Sequence, residues 1–507
     1  VSAALNLGAG VIGRQPNPTG FSNILFAEYA AYYIAGRMGG LFTSLVEFEQ
    51  AYRLDPSAFL LIGRLTSAFF GALSILVVFW LAKDTCGQAA RLLAACFLAI
   101  AFLHVRDSHY AVPDVTSAFF VILAVGLGAI AVRRRDQRIL SMSAAAAGFA
   151  VAVKWSTWPV AFPLAAAVIL IRNPKREKNR SRRLLVPFLP AIACGMGGFL
   201  MGGFQLVMKP AVYLNYAIHE WQAGQAGGFS IWQIDTVPGW LFYLKTLSCG
   251  LGNVLLVLGL AGFVCRLAMV VHGRDKMSIL LLSFPLSYYL FMGASRHYFC
   301  RYALPLVPFL ALFAGEAMTK VWEWASRRMK PSFGLAALLA VAAIVQPLAQ
   351  SARHNILLTR QDTRTLAKQW IEASIPEGSR IAVNWPVHGP PLSTPEKAAP
   401  YSNKMYHVSV IGGTGLSDHP ADWYRKEGFD YLIASSFICN IHLVCEKKDA
   451  PRWAFYASLE EEFEQVRDFR PCRGEAEPPF IFDEIYGLIV SLWQRERPGP
   501  TIRIYRV

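Results

Sequence analysis

The chain has 507 residues, 54% of them hydrophobic and 16% charged, with a mean hydropathy of +0.35. Water-soluble domains sit at roughly 45–50% apolar and about 25% charged residues, so the composition excludes an ordinary soluble enzyme. In a soluble protein the formal net charge of +15 would raise nucleic acid as a partner; here the basic residues lie in short blocks between apolar runs, where they orient a protein in a bilayer, and no nucleic-acid partner is expected.

The sequence opens at Val1, in mid-pattern and with no signal peptide, and a preceding crossing is expected. Residues 21–37 are apolar but carry Glu28 and several Tyr, which suits a helix lying in the membrane interface. About 20 apolar residues span the hydrocarbon core. On that measure ten spans are predicted, at 59–83, 88–104, 115–132, 139–154, 156–172, 184–207, 247–271, 277–293, 302–322 and 333–352. The fourth and fifth are short and meet at a tight turn at Trp155.

Loop charge alternates along this series. Arg133–Arg138, Arg172–Arg183, Arg274–Lys276 and Arg327–Lys330 are basic, while the loops between them are poor in Lys and Arg. The positive-inside rule places the basic set in the cytoplasm, and every basic loop then falls on one side. Residues 1–58, the loops 104–114, 208–246 and 294–301, and the tail 353–507 are accordingly expected outside, with residues 59–352 forming the transmembrane domain.

The tail mixes polar and apolar residues. A helix is predicted over Asp362–Glu372, and strands over Arg380–Asn384, Tyr431–Ala434 and Thr501–Val507. The expected fold class is a polytopic α-helical membrane protein with a small α/β or α+β soluble C-terminal domain. The nine cysteines show no metal-ligand spacing, and most read as packing residues. In an oxidising compartment Cys439 and Cys445 can close a small loop.

Charged groups at membrane depth are costly and are usually paired or functional. The outer loop His104–Asp114 holds Arg106, Asp107, His109 and Asp114. On the same expected face lie Lys154, His219, Glu220, Arg296, His297 and Arg301. Cations of this kind neutralise a phosphate, and a carboxylate can take a proton from an attacking hydroxyl. Plainer roles stand beside these. Asp114 suits a helix N-cap, Arg106–Asp107 an interfacial ion pair, and Lys154 a snorkelling helix end. His219 and Glu220 suit an ordinary loop, and Arg301 a helix anchor. Asp107, His109 and Asp114 could together hold a divalent cation, although their spacing is not diagnostic.

Four stretches, Ser108–Asp114, Gly148–Thr157 (GFAVAVKWST), Arg301–Pro308 (RYALPLVP) and Asp362–Gly378, give the chain a family resemblance. In order and spacing it resembles the GT-C class of membrane glycosyltransferases, in the branch of protein O-mannosyltransferases and the lipid A aminoarabinose transferase. An acidic pair that such proteins carry in the first external loop has no match in residues 1–20. The resemblance implies a GT-C-like fold in a bacterial inner membrane. It also implies a sugar donor on a polyprenyl phosphate and a lipid, protein or glycan hydroxyl as acceptor. Asp114, His109 and Asp107 would then be catalytic. Lys154, Arg301, Arg106 and Arg296 would hold the donor phosphate, and His219, Glu220, His297 and Tyr302 would line the substrate loop. A transporter of a lipid-linked substrate, with polar groups at mid-bilayer, and a non-catalytic scaffold are the rival readings.

Overall fold

The computed structural model describes residues 19–85, 87–171, 188–226, 238–296, 298–328, 332–384, 388–395, 402, 404–411, 415–443, 450–474, 477 and 487–507. The predicted basic loop Arg172–Arg183, His297 and Cys445 fall outside these residues. The chain divides into two compact units. One gathers Val1–Ile34, Phe59–Gly228 and Val237–Ser351; the other gathers Ala35–Ala58, Phe229–Thr236 and Ala352–Val507.

The helices in chain order are α1 Gly20–Met38, α2 Leu45–Leu54, α3 Ser57–Thr85, α4 Gly87–Ile100, α5 Phe102–Ser108, α6 Pro113–Arg134 and α7 Gln137–Val153. Next come α8 Ala161–Ile171, α9 Leu189–Gly202, α10 Gln205–Met208, α11 Pro210–Ala226, α12 Gly239–Leu251, α13 Asn253–Val271, α14 Met277–Ala294, α15 Val307–Arg328 and α16 Ser332–Leu358. Among the described residues five helical stretches are long and apolar enough to cross a membrane, six if the bent pair α4–α5 counts as one. Three shorter apolar stretches, Gln137–Val153, Trp155–Ile171 and Leu189–Gly202, coincide with the fourth to sixth predicted spans.

Two predicted segments are corrected. The span 247–271 is broken, because Gly252 at φ +89° ends α12 and starts α13. A left-handed backbone of this kind is open to glycine and strained for other residues. The outer loop from His104 is not irregular at its start: α5 runs through Ser108, bent by 55° from α4.

Local chemistry sets the tight turn between α6 and α7. Arg135 takes the left-handed conformation at φ 52°, and the Asp136 side chain caps α7 by accepting from the amides of Arg138 and Ile139. Small residues let α7 and α9 approach closely. A Cβ on Gly148 would lie 1.9 Å from the Gly195 carbonyl oxygen, and one on Gly198 would lie 2.1 Å from that of Ala145. Helices without a hydrophobic drive between them associate through such close backbone contact. Glu28 on α1 is half-buried, and the Thr66 hydroxyl donates to its carboxylate at 2.6 Å. A second buried charge set joins α13 to α15. Arg266 Nε donates to Glu316 Oε2 at 2.6 Å, with Asp275 3.6 Å from the same guanidinium and Lys320 3.0 Å from Glu316.

The second unit holds a five-stranded sheet of β1 Arg380–Val383, β2 His407–Val410, β3 Tyr431–Ser435, β4 Glu464–Phe469 and β5 Ile502–Arg506, in the order β2-β1-β3-β5-β4. The first three strands are parallel, and β5 runs antiparallel to β3 and β4. Ile381, Val383, Ile433, Ile502 and Ile504 face Ala367 and Ile371 of the amphipathic helix α17, Thr363–Ser374. The predicted strands are the three inner ones. β2 and β4 are the edges, and their half-exposed residues lack the apolar alternation that marks a buried strand. Cys439 is a buried free thiol, pushed up to about 12 chiefly by burial.

Candidate active site

Asp114 sits in the first turn of α6, directly after Pro113 at the helix start. The N-cap is Val112, which makes no side-chain capping bond, so the Asp114 carboxylate is turned to another use. It forms a buried ion pair with Lys154 Nζ, and Arg301 Nε approaches its other oxygen at 4.0 Å. Asp114 is 2% exposed and Lys154 6%. Lys154 therefore does not snorkel to water, which would leave its ammonium exposed.

Lys154 is positioned by a change of helix type. It is the extended C-cap of α7 (φ −154°, ψ 117°), and the 3-10 turn Trp155–Val160 follows. Arg301 and Tyr302 stand in another 3-10 turn, Cys300–Leu306, which leads into α15. Lys154 Nζ lies 4.0 Å from the centroid of the Tyr302 ring, and the Arg301 guanidinium lies 4.3 Å from that of Phe299. A cation over an aromatic face gains about 2 kcal/mol when it is desolvated. Tyr288 Oη donates to the Tyr302 carbonyl at 2.8 Å and holds the turn from below.

Arg106 and Asp107 on α5 form the ion pair that the sequence allowed, at 2.8 Å, and both side chains are buried. Asp107 is within electrostatic reach of Lys154. Glu220 on α11 accepts from the Tyr216 hydroxyl and is within electrostatic reach of Tyr302. Burial and Glu220 together push the Tyr216 phenol up, which keeps it a hydrogen-bond donor.

The structure thus brings Asp114, Lys154, Arg301 and Tyr302 into contact from three separate segments, with Asp107 and Glu220 within electrostatic reach. His109 is half-buried with Nδ1 2.8 Å from the Val105 carbonyl, and His219 stacks on Tyr216 with ring centroids 6.4 Å apart. Arg296 is exposed. Sequence reading missed Tyr216 and Tyr288. The first was signalled by its position one helical turn before Glu220, a spacing at which side chains meet. Among the described residues no group of three or more His, Cys, Asp or Glu is placed to hold a metal ion, so Asp107, His109 and Asp114 do not form one.

The chemistry of this cluster is a pair of cations set around one carboxylate beneath an aromatic ring. Apolar helices, five or six of them long enough to cross a membrane among the described residues, and a small mixed C-terminal sheet make up the described fold. Residues 60–220, about a third of the chain, match the family described as dolichyl-phosphate-mannose-protein mannosyltransferase. The resemblance read from the residues is thereby shown: the chain is similar to membrane glycosyltransferases that use polyprenyl-phosphate carriers.

Among solved structures, the Archaeoglobus fulgidus oligosaccharyltransferase tethered with an acceptor peptide is 13% identical, with a TM-score of 0.48 over 83% of this chain and 63% of that one. The chain thus spans less than two thirds of that protein's length. ArnT from Cupriavidus metallidurans bound to undecaprenyl phosphate is 15% identical, with a TM-score of 0.43 over 76% of this chain and 80% of that one. The mycobacterial arabinofuranosyltransferase AftD is 14% identical, with a TM-score of 0.37 over 87% of this chain and 34% of that one. No curated relative matches the chain.

Proposed function

We propose that this protein transfers a hexosyl or pentosyl group from a polyprenyl-phosphate carrier to a hydroxyl of a lipid, protein or glycan, on the non-cytoplasmic face of a bacterial inner membrane. The observation that carries the reading is the Asp114 carboxylate holding Lys154 and Arg301 side by side at one end of α6. Phosphate is a good leaving group and needs no proton to depart. The catalytic demand is therefore a fixed positive field where its charge develops. Two cations already oriented by a buried carboxylate meet that demand without reorganising when the donor docks.

In this reading Lys154 and Arg301 receive the carrier phosphate, and Asp114 is the group that holds both. Asp107, itself held by Arg106, supports Lys154 from the α5 side. His109, Arg296 and His219 border the donor and acceptor paths. Residues 59–352 form the membrane catalytic domain, and residues 353–507 lie outside with a part in choosing the acceptor.

The test uses the full-length protein in liposomes, supplied with undecaprenyl-phosphate-linked mannose, glucose or arabinose and with membrane extract as acceptor. Release of undecaprenyl phosphate together with glycosylated product is expected for one donor. Passage of the intact lipid across the bilayer without cleavage would instead mark a transporter and end the transferase reading.

A further inference from the structure

We infer that the protein holds an anionic phospholipid of the bilayer in a cleft between α3 and α6, at the end of α6 remote from Asp114. Trp80 and Leu81 of α3 face Gly126, Ala129, Ile130 and Arg133 of α6 across about 190 Å³ of empty space. The four α6 positions fall at i, i+3, i+4 and i+7, so they form one stripe of the helix. Gly126 and Ala129 are small and keep the floor of the cleft low. A Cβ on Gly126 would already come within 3.2 Å of the Trp80 ring.

Depth puts the mouth of this cleft at a membrane surface. Arg133 lies nineteen residues after Asp114 on one helix. At 1.5 Å per residue that is about 28 Å, close to the roughly 30 Å of a hydrocarbon core. Both helices are long and apolar enough to cross a membrane, and their spans end here, at Lys83 and Arg134. Trp80, one turn before Lys83, is 37% exposed, as suits an indole at the boundary between lipid and water. From Gly126 to Arg133 the cleft runs about 10 Å along α6, from hydrocarbon depth to head-group level.

The lining divides as a phospholipid does. Below the mouth it is apolar, and its space is smaller than the roughly 300–1,000 Å³ of a small-molecule pocket, which suits an acyl chain laid along it. At the mouth the exposed Arg133 presents a guanidinium, whose fork matches two phosphate oxygens. Arg133–Arg138 holds four arginines and one acid, and Lys83 is exposed on the α3 side, so a negative head group is favoured over a zwitterionic one. A free phosphate would leave the apolar slot empty, and a neutral lipid would leave the cation unused.

The test places the full-length protein in phosphatidylcholine nanodiscs doped with a phospholipid whose brominated acyl chains quench nearby indoles. The Trp80 signal is the difference between the wild type and Trp80→Phe. Half-maximal quenching should need about fivefold less brominated phosphatidylglycerol than brominated phosphatidylcholine. Arg133→Gln should lose most of that preference, and Arg133→Lys should keep part of it, because the ammonium retains the charge without the fork. Ile130→Phe fills the cleft and leaves every cation in place, and it should lose the preference too. Ala129→Leu is the second filling variant, read where Ile130→Phe fails to insert. Equal quenching by the two lipids overturns the inference. So does a preference that survives filling of the cleft, which would mark attraction by surface charge alone. No sugar donor enters these measurements, so they stand or fall apart from the transferase reading.

Discussion

Asp114 and Lys154, forty residues apart in the chain, form an ion pair buried beneath the Tyr302 ring. Two helix-end irregularities meet there. Pro113 starts one helix so that Asp114 falls in its first turn, and the extended Lys154 ends the next. Breaking one partner of a buried pair costs about 3–5 kcal/mol, whereas replacing both with apolar groups of similar volume is far milder. Asp114→Asn should therefore lower the unfolding midpoint of the detergent-solubilised protein and abolish transfer. The double variant Asp114→Leu with Lys154→Met should regain most of the midpoint and none of the transfer. Equal activity in the double variant and the wild type would take the pair out of the site.

The Arg266–Glu316 pair makes a contrasting case. It joins α13 to α15 with Asp275 and Lys320 as further members. Arg266→Met should cost about 3–5 kcal/mol by removing the buried guanidinium that pairs with Glu316. Transfer per folded molecule should stay within about twofold of wild type, read as kcat after correction for the folded fraction.

Helix approach gives a stability prediction with an internal control. A Cβ at Gly148 or Gly198 would meet backbone of the facing helix at 1.9 and 2.1 Å, whereas Gly197 on the same helix as Gly198 has nothing within 4 Å. Gly148→Ala and Gly198→Ala should each cost about 1–3 kcal/mol through forced separation of α7 from α9. Gly197→Ala should be neutral or slightly stabilising, since alanine favours a helix over glycine. Thermal unfolding followed by tryptophan fluorescence separates the three.

In the C-terminal unit, burial lowers His388 to about 4, with the nearby Arg364 acting in the same direction. A folded value below the unfolded one near 6.5 means that the unfolded chain binds the proton first. His388 should thus have no effect above about pH 6.5 and should reduce stability as pH falls from there toward 4. Hydrogen exchange of β1 and β3 amides between pH 7 and 4.5, corrected for intrinsic exchange, should show this loss. His388→Gln should flatten it; an unchanged slope would place the titration elsewhere.

The amino-acid pattern by itself determined most of the apolar helices, the three inner strands and the helix over Asp362–Glu372. Each is a local signal: an uninterrupted apolar run, a buried strand, an amphipathic repeat. The residue types at Asp114, Lys154 and Arg301 were legible in the same way, because charge at membrane depth is rare enough to stand out. What the tertiary structure alone decided is which charges meet. That Asp114 neither caps α6 nor stands free, that Arg106 is committed to Asp107, that Glu220 pairs with a phenol, and that Arg266 finds Glu316 fifty residues on are facts of packing. The break at Gly252 and the edge strands β2 and β4 were hidden for a related reason. A backbone kink inside an apolar run changes no composition, and an edge strand has too little buried surface to write an alternation into its sequence.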